Sequence, residues 1–500
     1  MLLRELLKDV NILKFPQWLE NMHARDIKID HRKVEEGDVF IALSGVNSDG
    51  NTFAQEALDR GAVAVVGEKD LQVWNGIKVD DARSAYALMS KHFFADACDD
   101  LRIIAVTGTN GKTTTCNTIS NVLEMAGAKV GTIGTLGARF GQHDIDTGFT
   151  TPDPYILHKI FAQMKKEGHQ FAVMEASAHA LALKKLDGIK FEIGVLTNIT
   201  EDHLDFFGDM DCYAQAKFKL FEEGRVKLGI IAGGKPYSKE AFEYAQVPVL
   251  SYGIGEQFDI KGKGLKKSFS SSEFVCDYLG EEIDIKTPLV GGYNIENALA
   301  AIGVCRSLGV ESELIKLGMN CLTPVEGRFN VIKMGGANII IDFAHTPDGL
   351  EKVLEAAREL TEGELVVVFG CGGNRDKLKR PIMGAIASKM ADEVVITSDN
   401  PRMEEPQMII EDIQKGVNVP CKTFVNRKAA IHYVLKNAKS GQTIVIAGKG
   451  GEKYQEIKGV KYPYNDFDTV YDFFRNNIKI VENHNKNSEV DEDFDENELK

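Results

Sequence analysis

Residues 101–106 (LRIIAV) read as a buried strand, apolar but for Arg102, and run without a break into Thr107, Gly108, Thr109, Asn110, Gly111, Lys112 and Thr113. A strand that ends in a glycine turn and opens a helix with Gly-Lys-Thr is a corner of a parallel sheet with crossover helices, so this junction points the chain to the α/β class. Apolar runs flanked by glycine and followed by helix-like periodicity recur along the chain, as that class requires. At roughly 150 residues per domain, the 500 residues make room for about three cores. The strand at 101–106 starts the second, and Cys321, Leu322, Thr323 and Pro324 precede the third, giving expected domains over 1–99, 100–322 and 323–480.

Charge and composition exclude several classes. With 74 acidic residues against 59 basic and a net charge of −15, the molecule has no general attraction for nucleic acid or anionic membranes. No run approaches the roughly 18 apolar residues that span a bilayer, and Arg4, Glu5, Lys8 and Asp9 interrupt the start before a signal-peptide core forms. A cytoplasmic protein without membrane insertion is expected. Residues 488–500 hold seven acidic side chains against one lysine, so 481–500 is expected to be a disordered acidic tail. The eight cysteines contain no CxxC pair, which fits reduced thiols that mostly fill core positions and disfavours a structural zinc site.

The turn at 107–113 carries the clearest chemistry. Backbone N–H groups and Lys112 would face phosphates there while the Thr113 hydroxyl reaches Mg²⁺, so ATP binding is the leading reading. The full pattern GxxxxGK[ST] fails, because Val106 stands five before Gly111; the match is to the shorter TGTNGKT. An ordinary glycine turn before a helix is the competing reading, and the β-branched run Thr113, Thr114, Thr115 argues against it, being a poor helix start if stability were its only purpose. Glu175 follows one apolar run and could give Mg²⁺ a hard carboxylate oxygen; His179 and His203 follow this run and the next, and each taken alone reads as a satisfied loop or core histidine. In the last third, strands at 338–341, 364–369, 393–396 and 443–446 each end in a polar or glycine-rich loop, at 342–345, 370–375, 398–402 and 448–452. Ligands of open α/β sheets sit at such strand ends.

In order, the chain carries TGTNGKTTT at 107–115, TTPD at 150–153, ExSxH at 175–179, NITEDHLD at 198–205, YAQAKFKLF at 213–221, GxYNIEN at 291–297, EGRF at 326–329, DFAHTPD at 342–348, GxGGNRDKxKRP at 370–381, DNPR at 399–402 and GKGGEKYQ at 448–455. Over roughly residues 22–475 this series resembles the Mur ligases. The resemblance implies a UDP-sugar-binding α/β domain, a central P-loop ATPase with a parallel sheet, and a C-terminal Rossmann-like domain that brings the amino acid. It also implies ATP-dependent ligation through an acyl phosphate, in cytoplasmic peptidoglycan synthesis, by an enzyme expected to be a monomer.

Carried over residue by residue, the resemblance makes Gly108, Thr109, Asn110, Gly111, Lys112, Thr113 and Thr114 the phosphate loop, with Lys112 on the β- and γ-phosphates. Thr113 and Glu175 would hold one Mg²⁺ and His203 a second, with Lys217 as a carbamoylated lysine. Asn294 and Asn297 fall on the adenine segment, and Arg328, Asp342 and His345 close over the nucleotide. His31, Thr150, Thr151, Ser177, Leu183 and Lys185 match positions for UDP-MurNAc-L-Ala-D-Glu. His31 replaces a common serine, Leu183 a glutamine and Lys185 an arginine, and Lys185 keeps the charge but loses the bidentate fork. Arg375, Asp399, Asn400, Arg402, Gly448 and Glu452 match positions for meso-2,6-diaminopimelate, with Arg402 on its distal carboxylate and Glu452 on its distal ammonium. Gly451 stands where the family usually has histidine, which implies a looser loop. From composition alone Lys217 reads as a solvated helix lysine and Arg402 as a surface arginine after a proline turn. The alternatives are a lysine-adding Mur ligase, a folylpolyglutamate synthetase, which DNPR and GKGGE disfavour, and a nucleotide-binding regulator.

Overall fold

The computed structural model describes residues 1–45 and 48–476, so the tail at 481–500 and Val46 and Asn47 lie outside the described residues. Strands β1 (Ile12–Lys14), β2 (Ile27–Lys28), β3 (Val39–Ala42), β4 (Ala64–Gly67) and β5 (Gly76–Val79) form a first sheet, ordered β1-β5-β4-β3-β2. The central sheet comprises β6 (Arg102–Thr107), β7 (Val130–Gly134), β8 (Gly137–Phe140), β9 (His143–Ile145), β10 (Phe171–Glu175), β11 (Phe191–Leu196), β12 (Val226–Ala232), β13 (Val249–Ile254), β14 (Ile260–Lys267), β15 (Ser272–Tyr278) and β16 (Glu281–Thr287). Its order is β16-β15-β14-β13-β12-β11-β6-β10-β7-β8-β9. The third comprises β17 (Asn330–Met334), β18 (Ala337–Asp342), β19 (Leu365–Phe369), β20 (Glu393–Thr397), β21 (Cys421–Phe424) and β22 (Thr443–Ala447), ordered β17-β18-β22-β19-β20-β21. A separate hairpin, β23 (Tyr454–Ile457) and β24 (Val460–Pro463), follows.

The parallel centre of each sheet follows from strands buried on both faces. Along β6, Ile103 and Ala105 pack on one side with Leu157, Ile160 and Phe161 of the helix Pro154–Lys166. Ile104 and Val106 pack on the other with Ile119, Val122 and Leu123 of the helix Lys112–Met125. Successive strand residues point to opposite faces, so one apolar run serves two helix layers, and each fully buried Leu, Ile or Phe contributes about 1.5–3 kcal/mol relative to exposure. The parallel sheet expected for the central domain is present, and β7-β8-β9 and β14-β15-β16 extend it antiparallel at both ends. These added strands are short or alternate buried and exposed residues, as a one-sided antiparallel edge does. The cysteines also depart in part from a core reading: Cys212 and Cys321 are exposed and Cys421 is half-buried.

Contacts between the three layers are specific. Tyr155 stacks its ring edge against Phe93 and Phe94 of the first domain, and Lys184 pairs with Asp81 at 2.5 Å. At the far end, the β14–β15 hairpin reaches the third domain, where Lys267 Nζ meets Glu359 Oε2 at 2.7 Å and Phe269 packs on its core.

His158, on the helix Pro154–Lys166, is fully buried, and neither ring nitrogen has a partner among the described residues. Burial, helped by Lys91, pushes it down to about 3. Between about 6.5 and that value the unfolded chain binds a proton that the folded chain refuses, so this contribution to stability is complete above pH 6.5 and falls as pH falls. At pH 5 the loss is about 2 kcal/mol. Urea unfolding at pH 7.5 and pH 5 is expected to show His158→Leu losing that much less than wild type over the interval. An equal loss in the two proteins would mean that His158 is not held neutral.

Candidate active site

The carboxyl ends of β6, β10 and β11 meet in one crevice, and each delivers part of the site. After β6 the chain turns through Gly111, whose φ of +88° and close approach to the Asn297 amide leave no room for a side chain. The helix that follows has no side-chain N-cap, so its first N–H groups remain available to an anion. Lys112 folds back over the turn and donates to the Gly108 and Thr109 carbonyls at 2.9 and 2.8 Å. The loop after β11 buttresses the turn: the Asn110 N–H donates to Asn198 Oδ1, and Thr197 Oγ1 to the Asn110 carbonyl.

Glu175, the last residue of β10, accepts from Thr113 Oγ1 at 2.9 Å and from the N–H and hydroxyl of Thr135. A hydroxyl and a carboxylate at this separation are hard oxygen donors suited to Mg²⁺. Thr113 and Glu175 therefore fit the ion. Among the described residues no group of three His, Cys, Asp or Glu side chains could hold a metal.

Lys217 corrects the solvated reading outright, since it is 1% exposed. Its helix, Met210–Phe218, turns it inward so that Nζ donates to the Gly108 carbonyl at 2.9 Å and lies 4.2 Å from the Tyr213 ring centroid. Burial and the nearby Lys112 hold its ammonium well below the usual lysine range. His203 sits at a φ of +57° with Nε2 3.3 Å from Asp202 Oδ2, and its ring crosses that of His179 edge-on at 4.7 Å. Burial, with His203, pushes His179 down to about 4. Burial likewise lowers His203, against the pull of Asp202. A neutral imidazole fits a metal, whereas a protonated Lys217 does not.

The third sheet presents its carboxyl edge to the same space, a cavity of about 620 Å³ lined from both sides. Arg328 Nη2 reaches Thr113 Oγ1 at 3.3 Å while its guanidinium stacks on Phe343. Asp342 accepts from the Phe329 and Ala344 N–H groups, yet burial raises its carboxyl above the usual value. His345 Nδ1–H donates to the Phe343 carbonyl, and Lys379 Nζ donates to the His345 carbonyl. Asn294 and Asn297 are buried and bonded to each other at 3.1 Å. Asn110 Nδ2 crosses the cleft to Asp348 Oδ2 at 2.9 Å, tying the phosphate turn to the helix Pro347–Leu360.

Beside this cavity, three loops converge without lining it. Asn400 Nδ2 donates to Glu452 Oε2, and Asn400 Oδ1 accepts from Lys449 Nζ and the Glu456 N–H. Arg402, at a φ of +52°, donates from Nη1 to the Gly373 carbonyl and lies 3.4 Å from Glu456 Oε2 through Nε. It is half-buried under the β23–β24 hairpin, which corrects the surface reading. Asp399 Oδ2 is buried without a partner among the described residues and faces Gly448, while Arg375 is exposed. The looser loop expected at Gly451 is not found. A Cβ there would stand 2.9 Å from the Glu326 carbonyl oxygen, and one on Gly327 would stand 2.0 Å from the Gly451 nitrogen, so the two loops pack backbone to backbone.

The remaining positions divide. Thr150 and Ser177 line the cavity, and Thr151 Oγ1 donates to the Glu175 carbonyl. Leu183 and Lys185 lie off it, with Lys185 Nζ on Asp153 at 2.7 Å and 4.8 Å from the Phe149 ring. His31 is on the first domain, stacked on Phe53 at 4.1 Å with Nε2 on Glu56. Sequence reasoning passed over Thr135, Asp202, Asp348, Lys449 and Glu456. Asp202 and Asp348 lie inside quoted motifs and could have been found there, whereas Thr135 has no local signal.

Three sequence profiles match in chain order: "Mur ligase family, catalytic domain" over residues 23–94, "Mur ligase middle domain" over 106–305 and "Mur ligase, glutamate ligase domain" over 327–450. A Clostridium acetobutylicum protein named UDP-N-acetylmuramoyl-L-alanyl-D-glutamate–2,6-diaminopimelate ligase 1 is 40% identical over 462 residues, covering 91% of this chain and 95% of that one. The enzyme so named in Syntrophomonas wolfei is 39% identical over 490 residues, covering 96% and 100%. A solved structure of a ligase of that name superposes with a TM-score of 0.70 at 32% identity, covering 95% of this chain and 99% of that one. Since such relatives match over nearly their whole length and the three profiles follow the three sheets, the chain belongs to the Mur ligase family.

Proposed function

We propose that this chain is the ATP-dependent ligase that joins meso-2,6-diaminopimelate to UDP-MurNAc-L-Ala-D-Glu in peptidoglycan synthesis. Residues 1–99 take the UDP-sugar, 100–322 the ATP and 323–480 the amino acid, and the enzyme works as a cytoplasmic monomer. The relatives' names support the reaction. The observation that carries the choice of amino acid is the convergence, on adjacent loops, of the Arg402 guanidinium, set against Glu456, and the Glu452 carboxylate, held by Asn400, which also takes the Glu456 N–H. A zwitterionic end carrying one carboxylate and one ammonium matches that pair, and a lysine side chain would offer Arg402 only a cation.

In this reading the acceptor's carboxylate attacks the γ-phosphorus of ATP, ADP leaves with the P–O bond, and the acyl phosphate forms. The amine of diaminopimelate then attacks the carbonyl carbon, and phosphate leaves with the C–O bond. Lys112 and the N–H groups of the phosphate turn hold the β- and γ-phosphates, and Arg328 approaches them from the third domain. Mg²⁺ on Thr113 and Glu175 neutralises phosphate charge when bound. Asn110 and Asp348 hold the two edges together, so that water is kept from the acyl phosphate. Lys217 is carbamoylated: its neutral amine attacks CO₂ and loses a proton, and the resulting anion beside His203 favours a second cation. Its buried amine, with a carbonyl and a ring but no carboxylate to pair with among the described residues, supports this.

Phosphate release with ATP, Mg²⁺ and UDP-MurNAc-L-Ala-D-Glu tests the reading, comparing meso-diaminopimelate with L-lysine. Release with diaminopimelate is expected, and Arg402→Ala should lower kcat/KM for it by on the order of 100-fold. Preference for lysine would sink the choice of amino acid. No release with either would sink the ligase.

A further inference from the structure

Lys449 is fully buried, and the expected substrate contacts do not include it. Its Nζ donates to Glu452 Oε2 at 2.7 Å and to Asn400 Oδ1 at 3.0 Å, and lies 5.7 Å from the Tyr454 ring centroid. Glu452 is thereby used on one side only: Oε2 takes Lys449 and Asn400, whereas Oε1 accepts no hydrogen bond among the described residues. Arg402 is treated alike, with Nε and Nη1 turned to Glu456 and Gly373. A carboxylate free on both oxygens can rotate and take a cation from several directions. One whose far oxygen is fixed by a buried ammonium presents its near oxygen in a single direction.

We propose that Lys449 is a positioning residue for amino-acid choice: it fixes Glu452 and Asn400 so that one carboxylate oxygen reads the distal ammonium of the incoming amino acid. The inference rests on the ligase reading above and deepens it. Lys449 touches no reacting atom, and its effect runs through Glu452. Because the ammonium also cancels the charge of Glu452, the loop accepts a zwitterionic end without gathering net charge in a buried place.

The test is a double-mutant cycle in the full chain, reading KM separately for meso-diaminopimelate and for ATP. Lys449→Met is expected to raise KM for diaminopimelate on the order of 30-fold while KM for ATP stays within about twofold. Glu452→Gln should raise it comparably, and Lys449→Met in the Glu452→Gln background should add little, since there is then no carboxylate to aim. Lys449→Gln, which keeps donors but loses the charge, should fall between wild type and Lys449→Met. Additive losses, or equal rises for both substrates, would overturn the proposal. If neither Lys449 variant folds, the lysine is a structural pin and the proposal is likewise overturned. Wild-type protein inactive with diaminopimelate would instead defeat the ligase reading before any variant is made, and the proposal would fall with it.

Discussion

Lys217→Met is expected to lower kcat by on the order of 1,000-fold while leaving the protein at least as stable as wild type. The two effects point in opposite directions because the same feature causes both. A buried amine with no carboxylate partner among the described residues, close to Lys112, opposes folding whenever it carries a proton, and a methionine of similar length removes that opposition while still filling the space. In the proposed mechanism, catalysis would lose the carbamate that supports a second cation near His203. Single-turnover phosphate release and a urea melt on the same preparation separate the contributions. A variant that lost stability along with activity would show Lys217 to be part of the packing, and a variant with wild-type kcat would show that its chemistry is not used.

Arg427→Met is expected to destabilise the protein by about 3–5 kcal/mol. Arg427 and Asp466 are both fully buried and bonded twice, at 2.8 and 2.7 Å. Burial opposes the guanidinium's charge, but Asp466 keeps it charged. Removing the arginine leaves the buried Asp466 carboxylate with only the Tyr464 hydroxyl to oppose its charge, which costs far more than the pair contributes when intact. Arg427 Nη2 also donates to the Ala447 carbonyl at the end of β22, one residue before the Gly448 loop. Denaturant unfolding of Arg427→Met and of Arg427→Met/Asp466→Leu checks the argument. The second substitution should recover most of the loss, and failure to do so would mean that shape rather than stranded charge is responsible.

Much of this was legible because physics writes some features locally. The runs at 101–106, 338–341 and 443–446 are strands buried on both faces, and an apolar run ended by a glycine or polar loop has few other solutions. The phosphate turn was legible for the same reason, since Gly111 and Lys112 do their work within one turn of chain. What stayed hidden depends on partners distant in sequence. Lys217 is a helix lysine in composition, and only the packing of Tyr213 and Gly108 around it makes it a buried amine. The β23–β24 hairpin is short, and β24 has no buried residue, so its few apolar side chains mark no core face, yet it supplies Glu456 to both Asn400 and Arg402. Arg402 owes its placement under the hairpin to a left-handed backbone that no propensity assigns to arginine. Lys449 and Glu452 were three residues apart in plain view, but a pair at that spacing outside a helix carries no signal until the loop's path is known.

The reach of the β14–β15 hairpin has a consequence for how such chains could be recombined. Phe269 from its tip, with Val290 and Tyr293 from the segment that follows it, packs on the cluster of Leu350, Val353 and Leu354, so the third domain completes its core with side chains borrowed from before residue 323. Ownership of the apolar surface and the order of the chain do not coincide here. A chimera of this chain joined at the apparent boundary would inherit a seat cut for another protein's hairpin, so the hairpin should travel with the domain it completes.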